Sequence, residues 1–357
     1  MKSLCLINTI LSIIILLIPY CFCKKTKKVC LSPENKEVDW YVLFLFPSTG
    51  DPAGNLKYGY FDNESTTLTI HLYKEQHFPG LKVIPQFQSE GTNYFFWNDD
   101  MTSEAGGKPS GRGKAHSKGG LFFDDKEGVL LSHSLPRFPW RTESGDVIGT
   151  LPPNAGIYGQ NFICLSLDTA NSLNVVESLN IINPALVLKV ETDNVYSPAN
   201  DGVEKLIKNR QDSKLENTKI IDIQTRGNNK FKIFSKSKNE EGLPWDSLIP
   251  KHYSDGFYVE TWTKPDLIES SCTDKSKKIF NVQHLKFGDI QYTQNQEHSK
   301  WAVGIKKNIA CFGDLNRTGS QMSRAGNTIC FENEYLANIM RSAIVGYEDC
   351  RLKFLID

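Results

Sequence analysis

At 357 residues with 39% apolar side chains, the chain is long enough to bury a proper core, as one large domain or two fused halves. Its charged content of 23% is ordinary for a globular protein. Its 41 basic and 41 acidic residues cancel, which excludes the marked basic excess of a protein that coats nucleic acid; any DNA contact must use a local basic groove.

Residues 1–23 read as a targeting segment. Lys2 supplies a short positive region, Leu4 to Ile18 is apolar apart from Asn8, Thr9 and Ser12, and Pro19 precedes Cys21-Phe22-Cys23 and a basic stretch. That order predicts a secretory signal peptide cleaved close to Cys23. The apolar run falls short of the ~18–20 residues a membrane span needs, and no later segment approaches that length, so the mature protein is expected to be soluble. Removing the signal leaves six cysteines: Cys30, Cys164, Cys272, Cys311, Cys330 and Cys350. An even number in a secreted chain argues for disulfides, and no pair has the Cys-x-x-Cys spacing of a structural zinc site. Six cysteines allow 15 connectivities, and the pattern does not choose among them. Of the sequons at Asn63 and Asn316, Asn63 sits in a turn-like stretch and is the expected glycan site.

Val38 to Pro47 reads as a buried strand closed by proline, followed by a turn over 48–55. Thr66 to Leu72 alternates like a half-exposed strand, and Tyr94 to Trp97 is a further apolar strand. The glycine-rich, basic stretch 104–114 reads as a loop. The very polar segment 204–241 reads as a surface insertion carrying a helix near its start.

One distant similarity stands out. His116-Ser117-Lys118 recurs as His298-Ser299-Lys300, and each copy enters a β-hairpin. The first hairpin runs Gly119 to Phe123 and returns Val129 to His133. The second runs Trp301 to Ile305 and returns Ile309 to Asp314. Two matched hairpins suggest an internal duplication. On a strand, residues i and i+2 share a face, so each tripeptide sets an imidazole beside an ammonium. The return strands are expected to bring His133 near the first pair, and Asp314 and Asn316 near the second. Two such half-sites facing each other suit phosphodiester cleavage: the lysines hold phosphate oxygens, one imidazole attacks phosphorus and the other protonates the leaving oxygen. A single His-x-Lys would carry almost no weight; the duplication does.

Other groups read more plainly. Asp99-Asp100 and Asp124-Asp125 are turn residues rather than magnesium ligands, and His71, His77, His252 and His284 are structural or surface residues. Trp245 and Trp262 are taken as core residues, with base stacking the functional alternative for both. The basic stretches 108–118 and 205–238 are evenly divided between solvated loops and tracks for a phosphate backbone.

His116 to Gly119 with Ser132 to Pro139, and Glu297 to Val303 with Gly313 to Arg317, resemble the two signatures of deoxyribonuclease II. Val38 to Trp40, Tyr158 to Cys164 and Val259 to Trp262 are similar to further landmarks of that family. The resemblance runs from about Cys30 to Cys350. It implies an α/β, phospholipase D-like fold of two pseudo-repeated halves with mixed sheets, here 24–170 and 171–357, and a shared active site between them. It implies acid endonucleolytic cleavage of DNA, largely without sequence specificity, with no metal or other cofactor, leaving 3′-phosphate ends. His116, Lys118, His298 and Lys300 take the catalytic positions, with His133, Asp314 and Asn316 supporting; Asp314 stands where the wider superfamily has serine. The family's disulfides map onto Cys30–Cys164, Cys272–Cys350 and Cys311–Cys330. Residues 43–46 lack the Tyr-Lys often found there, and Ser117 replaces a frequent threonine, but neither touches the reacting groups. The expectation is a lysosomal or secreted enzyme acting on DNA, as monomer or homodimer, without a membrane partner. The competing reading, a secreted family member that binds DNA or a host protein without cutting, would be favoured by loss of a His-x-Lys pair, and both are intact.

Overall fold

The computed structural model describes residues 27–100, 114–141, 147–148, 150–189, 201–208 and 218–350. The signal segment and loop residues 104–113 lie outside them. The apolar run after Val38 becomes strand β1 (Trp40–Leu45), with all six residues buried. It lacks polar alternation because both its faces are covered: Trp40, Val42 and Phe44 point into one core cluster, Tyr41, Leu43 and Leu45 into another.

The first sheet adds β2 (Lys57–Asp62), β3 (Thr69–Leu72), β4 (Asn93–Trp97), β5 (Gly119–Phe123), β6 (Glu127–His133), β7 (Gln160–Asp168) and β8 (Leu186–Lys189). Its order is β8-β4-β5-β6-β7-β1-β2-β3, antiparallel throughout. The second sheet holds β9 (Thr218–Gln224), β10 (Lys230–Lys236), β11 (Phe257–Glu260), β12 (Ile279–Phe287), β13 (Ile290–Thr293), β14 (Trp301–Gly304), β15 (Ile309–Gly313), β16 (Gly326–Glu332) and β17 (Ile344–Tyr347). Its order is β9-β10-β16-β15-β14-β11-β12-β13 with β17 also on β12, and it is mixed, since β11 and β12 run parallel. Both expected hairpins are present, as β5–β6 and β14–β15. The neighbours run in the same order around each: β4-β5-β6-β7-β1 in one sheet, β11-β14-β15-β16-β10 in the other.

A helix follows the last strand of each series. Helix α1 (Thr169–Ile182) is capped by Asp168, whose carboxylate accepts the Asn171 amide at 2.7 Å, and ends at Asn183 in the left-handed region. It packs against strands of both sheets. Helix α2 (Asp201–Ile207) lies against it. Helix α3 (Glu334–Ala343) is capped by Asn333. The sheets meet through aromatic rings: Phe44 lies 5.4 Å from Phe287 and 5.9 Å from Phe312, and Trp40 lies 5.0 Å from Phe331. The fold is therefore mixed α/β with one continuous core between two large sheets.

The polar segment 204–241 is not a surface insertion throughout. Helix α2 does open it, but β9 and β10 form the end of the second sheet and bury Ile221, Ile223, Phe231 and Ile233. Lysines on the outward positions mask the period-2 pattern in composition. The turn between them docks on the first sheet, with Arg226 paired to Glu127 at 2.7 Å and the Gly227 amide donating to Asp39 at 2.6 Å.

The three disulfides are Cys30–Cys164, Cys272–Cys350 and Cys311–Cys330, as the family pattern implied. Cys311 and Cys330 sit opposite each other on β15 and β16, whereas Cys30–Cys164 ties the N-terminal segment to β7 across 134 residues. Replacing both Cys30 and Cys164 by serine is expected to lower stability by ~3–5 kcal/mol in the chain-entropy account. A lower unfolding free energy in denaturant titration, with a slope that rises as the uncross-linked denatured chain expands, would report it; an unchanged unfolding free energy would show that the bridge closes nothing the core does not already hold.

Candidate active site

Each His-x-Lys segment enters its hairpin in the same way. The amide of His133 donates to the Lys118 carbonyl at 3.2 Å, and that of Gly313 to the Lys300 carbonyl at 2.8 Å. Each histidine is also held from the opposite half. The His116 amide donates to the Ala325 carbonyl just before β16, and the His298 amide to the Gly159 carbonyl just before β7, both at 2.9 Å. Gly159 is required there, since a Cβ at this position would lie 2.4 Å from a Glu297 carboxylate oxygen.

Around His116, the ring Nδ1–H donates to the Asp314 carbonyl at 2.6 Å, which leaves the lone pair on Nε2. Nε2 lies 3.6 Å from Asp99, whose carboxylate also pairs with Lys118 and, at 3.2 Å, with Arg324. Burial alone would raise the Asp99 carboxyl, but Lys118, His116 and Arg324 outweigh it and hold it well below the usual carboxylate range. Burial, then Lys118, pushes His116 well below its ordinary value, against Asp99; Lys300 and Arg324 act in the same direction as Lys118.

Around His298, the ring stacks on Tyr158 at 3.9 Å, and Trp262 meets it at 81° with centroids 4.5 Å apart. Its Nε2 is buried without a hydrogen-bond partner. Burial, then Lys300 and Lys118, brings His298 down to about 3. Lys300 is buried; its amide is held by Asn161 at 2.9 Å, and burial and Lys118 lower its ammonium to about 7. Burial raises Asp314 to about 7, although the Asn327 amide and Ser117 hydrogen bond its carboxylate. The two half-sites thus share one electrostatic neighbourhood: Lys300 acts on His116, and Lys118 acts on His298.

The supporting residues are placed less evenly. Asp314 does not sit with the second pair alone; its carbonyl receives His116 and its carboxylate faces Asn327 and Ser117. The side-chain oxygen of Asn316 is buried and unpartnered. His133 is buried between Phe138 and Phe162, and burial pushes it down to about 3, as for a neutral core histidine. Asn63 is half-buried, its side-chain oxygen accepting the Asp39 amide at 2.9 Å at the start of β1.

Two expectations change. Asp99 is part of the ion-pair cluster at His116 rather than a simple turn residue, because the chain after β4 turns into the site; Asp124, by contrast, caps its own hairpin turn. Trp262 is half-buried beside His298, whereas Trp245 is a core residue, its indole donating to the Leu315 carbonyl at 2.8 Å. Arg324 carried no signal in the sequence. Glu260 and Glu297 lay in motifs without a role; both are buried, and the charge of Glu297 acts on Lys300. Glu260 is 0% exposed with neither oxygen hydrogen-bonded, and burial, then Glu297, raises its carboxyl well above the ordinary value.

A carboxyl whose folded pKa is raised contributes stability that is fully present below the unfolded value, ~4.3 for glutamate, and lost as pH rises through the folded value. Ionising Glu260 therefore disfavours the fold more at pH 8 than at pH 5, while the depressed His116, His133 and His298 act in the opposite direction. Glu260→Gln, which cannot ionise, should shift the gap between the two melting temperatures by about 2–4 °C in favour of pH 8, the size of a 1 kcal/mol effect in a large domain. An unchanged gap in calorimetry at the two pH values would show that Glu260 does not titrate over that range.

Paired imidazoles and ammonium groups at the seam of two sheets make an arrangement of the kind that suits an anionic phosphate ester. The sequence pattern of the deoxyribonuclease II family matches residues 29–350, and the chain belongs to that family of deoxyribonucleases. It is 27% identical over 334 residues to "Cell-death-related nuclease 7" of Caenorhabditis elegans, covering 90% of this chain and 88% of the relative. It is 25% identical to "Deoxyribonuclease-2-alpha" of Rattus norvegicus, covering 90% of this chain and 94% of the relative. It is 26% identical to "Plancitoxin-1" of Acanthaster planci, covering 90% and 92%.

Proposed function

We propose that the protein is an acid endodeoxyribonuclease that needs no metal and works through a phosphohistidine, its two halves having arisen by duplication. The reciprocal anchoring of His116 on Ala325 and His298 on Gly159 carries this reading, because it sets both His-x-Lys pairs at one seam. Lys118, Lys300 and Arg324 supply the positive charge that a phosphodiester needs. His116 is the nucleophile: its Nδ1–H is tied to the Asp314 carbonyl, so Nε2 presents the lone pair. Nε2 attacks phosphorus, the bond from phosphorus to the 5′-oxygen breaks, and His298 gives that oxygen its proton. His298 then takes a proton from water as the water attacks phosphorus, the P–N bond breaks, and a 3′-phosphate leaves. Asn316 orients the phosphoryl oxygens. The signal over 1–23, the disulfides and the proposed glycan at Asn63 support a lysosomal or exported enzyme. Among the described residues no helix is long and apolar enough to cross a membrane.

The test is plasmid DNA at pH 5 in EDTA, followed by acid-quenched turnover of labelled DNA. Cleavage with 5′-hydroxyl and 3′-phosphate ends and label on His116 is expected. Label on His298 would reverse the two roles, and 5′-phosphate ends would sink the scheme.

A further inference from the structure

Three aromatic or cationic side chains lie beside His298 that the chemistry above does not use. Tyr158 lies parallel to the imidazole, 3.9 Å away and 5° from coplanar. Trp262 stands nearly perpendicular to both rings, with centroids 4.5 Å from His298 and 5.7 Å from Tyr158. The exposed Lys264 ammonium lies 5.9 Å from the centre of the Trp262 ring. The two aromatic rings come from opposite halves, Tyr158 from the segment before β7 and Trp262 from the segment after β11.

Their exposure separates them from the core tryptophans Trp40, Trp97, Trp245 and Trp301. Trp40, Trp245 and Trp301 are fully buried and fill the core. Tyr158 and Trp262 are half-buried, and both rings lie against the imidazole of His298. A large aromatic surface left wet beside a cationic site costs solvation unless a flat, apolar ligand covers it. Every nucleobase has such a face, and stacking on it discriminates little between bases. A phosphodiester held between Lys118 and Lys300 carries a base on either side of the reacting phosphorus. Lys264, above the outer ring, is placed to meet the next phosphate along the strand.

We infer that Tyr158 and Trp262 form a stacking subsite for the nucleobase adjoining the scissile phosphate, with Lys264 holding the neighbouring phosphate. The inference rests on the nuclease reading of the same site. It assigns these residues to substrate binding, in contrast to a purely positioning role in which the rings only fix the imidazole of His298. The subsite accepts a base only where it is unstacked from its neighbours, so single-stranded or locally opened DNA is the form it grips.

The two roles separate on an abasic substrate. Short single-stranded oligonucleotides are compared with matching ones whose central nucleotides lack bases, at pH 5 in EDTA, measuring kcat and KM separately. The wild-type enzyme should show a KM about five- to a hundredfold higher on the abasic strand, the range expected for one lost stacking contact. In Trp262→Ala the ratio of the two KM values should fall toward one, while Trp262→Phe should restore most of it. The wild-type comparison needs no variant, so a misfolded variant would not decide the matter. Equal wild-type KM values on the two strands would overturn the subsite. So would a Trp262→Ala enzyme that lost kcat on both strands with its KM ratio intact, the mark of a positioning role. Failure to cut either strand by an enzyme that cuts plasmid DNA would also overturn the subsite, whereas failure on the plasmid as well would overturn the nuclease reading itself.

Discussion

Alanine in place of His116 or of His298 is expected to abolish DNA cleavage, each by at least about 10³-fold in kcat, while the protein still folds and is secreted. Nucleophilic attack and proton transfer by placed imidazoles are steps for which the chain offers no substitute at the site. His133, the other nearby histidine, is buried and enclosed by Phe138 and Phe162. The backbone anchors to Ala325 and Gly159 use main-chain atoms, so they survive both substitutions. The double variant should be no worse than either single one, because the two residues act in one pathway. The measurement is single-turnover cleavage beside near-UV circular dichroism. Near-full activity in either single variant would end the shared-pocket account.

Activity is expected to fall at least tenfold between pH 6 and pH 8, with no rescue by Mg²⁺ and no loss in EDTA. The cause is the charge of the site. Lys300 titrates at about 7 because it is buried beside Lys118, with Asp99, Asp314 and Glu297 opposing that shift. Asp314 titrates at about 7 because it is buried, with Asp99 adding to the shift and the Asn327 amide, Ser117 and Lys118 opposing it. Below that value Lys300 is an ammonium and Asp314 a neutral acid. Above it the site loses one positive charge and gains one negative charge, and an anionic phosphodiester is held less well. Burial pushes His116 and His298 below the ordinary histidine value, which favours the neutral imidazole in both before DNA arrives. That suits the nucleophile. The bound phosphate, being anionic, raises the partner imidazole so that it can carry the proton it donates. Under the proposed mechanism protonation of the attacking imidazole sets the acid limb, so the profile should be a bell with its maximum on the acid side of neutrality. Asp314→Asn should make the falling limb shallower, since it leaves Lys300 as the group that titrates there. An optimum above pH 7 that disappears in EDTA would point to metal chemistry at Asp99 and its neighbours instead.

The sequence by itself determined the local units. The apolar run at Trp40–Leu45, the two hairpins and the His-x-Lys pairs at their entries are set by residue types within a few positions of one another, and period-2 alternation reads directly on that scale. The tertiary structure decided what those units face. Asp99 and Arg324 are 225 residues apart and meet only because the two sheets pack with their hairpin entries at one seam. Asp314 was expected beside the second pair, yet its carbonyl holds His116, because the chain leaving β15 passes between the two half-sites. The segment 218–236 looked like solvated surface because lysines fill its outward positions, while its inward isoleucines and phenylalanines gain meaning only against the facing sheet. Glu260, Tyr158 and Trp262 are ordinary residues in a string. Burial raised the carboxyl of the first above its ordinary value and partial exposure made the others candidate stacking surfaces, and burial is a property of packing that no local pattern carries.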